Sequence, residues 1–102
     1  MKTSLLVLYN NLRRTFAEEI KQEVKKLGGN VVVNREIPIF VGAVPTETKN
    51  LNSIKTVKED GMNTYLVDCF YTDIDTQETE EVWEPLQDLP MDELYEIAEI
   101  FE

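Results

Sequence analysis

Leu12, Phe16, Ile20, Val24 and Leu27 recur at every third or fourth position and then meet Gly28-Gly29. Only an α-helix gathers that spacing into one apolar stripe, and a stripe of this kind must be buried against something. The paired glycines close the helix, because they adopt left-handed backbone at a C-terminus without a Cβ clash. Lys25 and Lys26 fall in the last turn, where the helix dipole favours cations. Thr15 and Glu18 form a capping-box pair at the other end, with Asn11 as an alternative start. The rest of the chain has to cover this stripe.

A sheet is the expected cover. Ser4 to Tyr9 is apolar on both alternating faces and reads as a buried central strand. With the strand Val31-Val32-Val33 after the helix, it predicts an N-terminal β-α-β unit. Ile37 to Val44 is a further strand, with Pro38 confined to a strand start or an edge. Pro45 to Asn52 is polar without a period and reads as a loop. A hairpin follows: Ser53 to Lys58, a turn at Asp60-Gly61, and a return over Thr64 to Ile74. On the return, Tyr65, Val67, Cys69 and Tyr71 share one face, and Leu66, Phe70 and Ile74 share the other with Asp68 and Thr72. Asp75 to Glu80 is a turn, Val82-Trp83 a short last strand, and Met91 to Phe101 a second helix with the stripe Leu94, Ile97, Ala98 and Phe101. The expectation is a single α+β domain over residues 1–102, with a mostly antiparallel sheet of about five strands and both helices on one face.

Composition sharpens the functional question. Up to Lys58 the chain carries ten basic and five acidic residues; beyond it there are fifteen acidic residues and no basic one, for a formal charge of −10. A nucleic-acid binder needs a basic face, so direct nucleic-acid binding is not expected. The chain has no His and one Cys, which removes His-based catalysis, Cys–His nucleophiles, internal disulfides and Cys-built zinc sites together. The lone thiol and the absence of a signal-peptide pattern or of about 20 consecutive apolar residues give the expectation of a cytoplasmic protein that does not engage a membrane.

Weak motifs deserve equally plain readings. Asp73, Asp75, Gln77, Glu81 and Glu84 imitate the spacing of a calcium loop, but Glu78 stands where the sharp turn needs Gly and the flanks read as strands, so no metal site is expected. Gly28-Gly29 follows a helix, whereas phosphate loops precede one. Tyr65, Phe70 and Tyr71 lack the cationic groove of a base-stacking platform and read as core. Cys69, between Val67 and Tyr71, reads as an inert buried thiol, and Trp83 as the edge of the core or an interface anchor. Twenty acidic residues guarantee carboxylate pairs by chance, so none identifies catalysis; the expectation is a non-enzyme without cofactors.

The second helix breaks a local rule. Asp92 and Glu93 suit its first turn, but Glu99 and Glu102 lie at the end where anions are disfavoured by about 0.3–1 kcal/mol each when exposed and unpaired. Either the basic first helix lies alongside and neutralises them, or a partner does. The second alternative predicts an interaction or inhibitor-like protein that docks on a protein with a basic surface, in the manner of acidic imitators of nucleic acid. Its contact residues would be Asp92, Glu93, Glu96 and Glu99 on the helix and Asp73, Asp75, Glu78, Glu80 and Glu81 around the last turn. The competing reading is a small-molecule-sensing or regulatory module, dimeric because one sheet face is left to be covered.

Overall fold

The helix of the stripe forms, and it begins earlier than its periodicity requires. In the computed structural model, which describes residues 4–102, the chain runs α1 (Leu5–Lys26), β1 (Asn30–Val41), β2 (Val44–Glu59), β3 (Met62–Asp73), β4 (Thr79–Pro85), a 3-10 turn (Leu86–Asp88) and α2 (Met91–Glu99). The fold is α+β, with two α-helices and a four-stranded antiparallel sheet in the order β1-β2-β3-β4.

Three expectations are corrected. Ser4 to Tyr9 is not a strand: Ser4 caps α1, its Oγ accepting from the Val7 N–H at 3.2 Å, and the apolar run forms the first turns. A run of five apolar residues has no period that separates strand from helix, and its leucines are good helix formers. The β-α-β unit is therefore absent, since a helix comes first and each strand pairs antiparallel with its sequence neighbour. The sheet has four strands rather than five. Val31–Val33 and Ile37 onward are one strand, kinked between Val32 and Arg35, where Asn34 takes a φ of 48°. A bulge of this kind inserts an extra residue without ending the strand. Finally, Pro45 to Asn52 is no loop but the first half of β2.

Turn chemistry sets the remaining connections. Asp60 and Gly61 both have positive φ, 49° and 77°, the pattern of a type I′ hairpin, and Gly42 (φ 64°) opens the two-residue turn from β1 to β2. Pro38 sits on β1, an edge strand, where a missing donor is tolerated.

Both helices pack on one face of the sheet. Ala17, Ile20 and Val24 of α1 meet Met91, Leu94 and Ile97 of α2 and Leu86 and Leu89 of the intervening turn. Beneath them lie Val33, Leu51, Ile54, Tyr65, Val67 and Cys69. Of the expected stripe, Phe16 is only partly buried, and Leu12 and Leu27 are exposed because the helix overruns its cover. The radius of gyration, 15.0 Å, exceeds the roughly 13 Å of a compact domain this size. Strands of 12 to 16 residues reach past the helices, leaving Phe40, Val41 and Val44 exposed at a hairpin tip.

Candidate functional site

The expected docking carboxylates separate into three groups. Asp73, Asp75, Glu78, Glu80 and Glu81 cluster at the β3–β4 connection. Asp73 accepts from the N–H groups of Asp75 and Thr76, both at 2.9 Å, which holds its carboxyl below the usual range. Asp75, Glu78, Glu80 and Glu81 are exposed. On α2, Asp92 and Glu99 are exposed and Glu96 half-buried, spaced to line one outward face with Tyr95. Glu93 alone is turned inward, 8% exposed.

Glu93 enters a buried cluster that the sequence reading did not find. Lys49, on β2, places its Nζ 2.6 Å from Glu93 Oε1 and 2.9 Å from Glu84 Oε2. Tyr71 donates its hydroxyl to Glu84 Oε2 at 2.6 Å, and the ammonium lies 5.2 Å from the Tyr71 ring centre. Burial alone would lower the Lys49 pKa, but its bonds to Glu93 and Glu84 outweigh that and hold it well above the ordinary value. Burial raises Glu93 more than Lys49 lowers it, whereas the bonds from Tyr71 and Lys49 bring Glu84 down despite burial. Burial and the Glu84 carboxylate push Tyr71 up to about 12. Burial likewise drives the Cys69 thiol upward. An ammonium held this firmly is no base at neutral pH; its effect is to tie α2 to the sheet. The available signal was that Lys49 stands two residues before buried Leu51, on the inward alternation of β2.

The ion pairs bear on the expectation that the basic first helix neutralises the acidic second one. Among the described residues, Lys21 pairs with Glu18 and Lys26 with Glu23, both within α1, and the other two pairs are those of Lys49. No ion pair joins α1 to α2. Of the acidic residues beyond Lys58, Glu84 and Glu93 alone pair with a cation among the described residues.

The open face of the sheet carries a second polar group. Ser53, Asp68 and Trp83 lie opposite one another on β2, β3 and β4, flanked by the rows through Phe70–Glu81 and Lys55–Leu66. Asp68 is 7% exposed there. Its Oδ2 accepts from Asn52 at 3.4 Å and its Oδ1 has no donor. The Lys55 Nζ sits 4.0 Å over the Trp83 ring.

The calcium-like spacing resolves into a turn between strands, and no three His, Cys, Asp or Glu side chains converge as a metal-ligating group among the described residues. No helix of the described residues is long and apolar enough to cross a membrane. An open groove of about 300 Å³ lies between the helices, with Phe16, Ile20 and Phe101 in its walls and acidic side chains at its rim. The chain matches no family model, no curated protein and no solved structure.

Proposed function

We propose that this is a non-catalytic interaction protein that docks on a partner with a basic surface through its acidic C-terminal half. The observation that supports the reading is the distribution of ion pairs: Lys21 and Lys26 of α1 pair with glutamates of the same helix, and no cation among the described residues pairs with Asp92, Glu96 or Glu99. Unpaired carboxylates on a rigid helix steer association with a positive surface and set its register. Glu93 drops out of the contact set, since Lys49 holds it inside.

The test is a pull-down from lysate eluted by a salt gradient, run beside the triple variant Asp92→Asn, Glu96→Gln, Glu99→Gln. A retained basic protein that elutes at distinctly lower salt from the variant supports the reading. Retention indifferent to both salt and substitution sinks it.

The exposed apolar residues Leu5, Leu8 and Leu12, on the first turns of α1, favour a second reading, a dimeric regulatory module. Sedimentation at monomer mass across a hundredfold range of concentration would remove it.

A further inference from the structure

A carboxylate oxygen buried without a donor is expensive to hold, and proteins keep few of them. Asp68 Oδ1 is one, although Asp68 belongs to the solvent-facing side of the sheet. Asn52 serves only the other oxygen, at 3.4 Å. The neighbour of Asp68 on β4 is itself an acid: Glu81 lies diagonal to it on the same face of the β3–β4 ladder, and the nearness of Asp68 raises its carboxyl. Two carboxyls in contact are satisfied either by sharing a proton or by receiving a cation between them. The resident cation serves only in part: the charge of Lys55 acts on Glu81, but its Nζ lies over the Trp83 ring at 4.0 Å and makes no ion pair among the described residues.

We propose that the open sheet face holds a guanidinium site, in which Asp68 and Glu81 receive an arginine side chain of a basic partner beside the Trp83 ring. Three features select arginine over lysine. Two carboxylates from adjacent strands present paired acceptors, which suit a planar fork of donors rather than a point charge. Trp83 and Phe70 border the pair with aromatic surface, and a guanidinium stacks on the Trp83 ring by displacing the Lys55 ammonium that now lies over it. Glu81 is exposed, so it can swing outward to admit the group and then close over it. Arginine supplies the donor that Asp68 Oδ1 lacks, which a proton on Glu81 supplies only by giving up a charge. The inference rests on the reading that the partner is basic, and it adds a place of contact away from α2.

Trp83 is the only tryptophan of the chain and reports on the site directly. Its emission is followed at neutral pH and physiological salt while a capped tri-arginine peptide is added, with capped tri-lysine as the comparison. The expected result is a saturable change with arginine and binding about tenfold weaker for lysine. Asp68→Asn preserves shape and removes the charge. It should weaken the arginine response by about tenfold, the effect of losing one charge-assisted pair. Equal responses to the two peptides, or an unaltered response in Asp68→Asn, overturn the site. So does a Trp83 signal that follows pH and ignores peptide, which would mark a shared proton instead. The α2 triple variant separates the two proposals. If it loses its partner while Trp83 ignores arginine, docking stands and this site falls. If Trp83 responds while the α2 variant keeps its partner, the site stands and the α2 contact falls.

Discussion

Replacing Lys49 by methionine should damage this fold more than any surface change. Methionine fills nearly the same volume but removes the cation that Glu84 and Glu93 share. Breaking a buried ion pair by deleting one partner costs about 3–5 kcal/mol, because the abandoned charge stays desolvated. The two carboxylates contribute unequally. The side chain of Glu84 is 28% exposed and keeps the Tyr71 hydroxyl, so water and that bond absorb part of the loss. The side chain of Glu93 is 11% exposed, and among the described residues Lys49 alone hydrogen-bonds to it. The low end of the range, about 3 kcal/mol, is therefore the working figure. For a domain of about 100 residues, that lowers Tm by about 12–24 °C. The loss should appear in thermal melts followed by circular dichroism at neutral pH and shrink under mild acid, where Glu93 takes up a proton. Adding Glu84→Gln and Glu93→Leu to Lys49→Met should restore most of the stability, since buried ion pairs replaced by uncharged groups are often neutral or stabilising. A single variant within about 3 °C of the parent, or a triple variant no better than the single one, would refute the reasoning.

Other outcomes follow from the same structure. Lys49 and Tyr71 both have folded pKa values above their ordinary 10.5 and 10.0, so the folded state holds their protons more tightly than the unfolded chain. Their contribution is complete below about pH 10 and is lost as pH rises through the folded values; urea midpoints should fall steeply above pH 10 in the parent and less so in Lys49→Met. The Cys69 thiol, fully buried with a raised pKa, should react with a disulfide reagent only as fast as the protein opens, and prompt labelling of native protein would contradict its placement. Gly29 has a φ of 87°, and a Cβ there would lie 3.1 Å from Thr56 Oγ1; Gly29→Ala should therefore cost about 1–2 kcal/mol in urea unfolding, and an unchanged midpoint would show that α1 leaves by another path.

Much of this architecture could be read from spacing alone. Ile20 and Val24 lie in the core, Gly28-Gly29 end α1, Asp60-Gly61 turn the hairpin, and the row from Tyr65 to Tyr71 faces the helices. These are local patterns, each carried by a period or by a backbone angle that only certain residues adopt. The failures also have physical causes. Leu5 to Tyr9 is apolar on every side, so no period distinguishes strand from helix, and the choice fell to the Ser4 cap and to continuity with α1. Pro45 to Asn52 read as a loop because only one face of β2 is buried there, and that face carries Lys49 where a strand pattern expects an apolar residue.

The candidate site divides in the same way. The amino-acid order by itself determined that charge is split along the chain, and that Glu99, at the end of its helix, opposes the dipole with no lysine three or four residues away. Which carboxylates face outward was settled only when α2 docked. Docking turned Glu93 onto Lys49 and left Asp92, Glu96 and Glu99 outward, while the pairing of β3 with β4 set Glu81 beside Asp68 on the other face of the sheet. A carboxylate's charge belongs to its residue, but its partner is chosen by distances of a few ångströms between elements far apart in sequence, and only packing sets those.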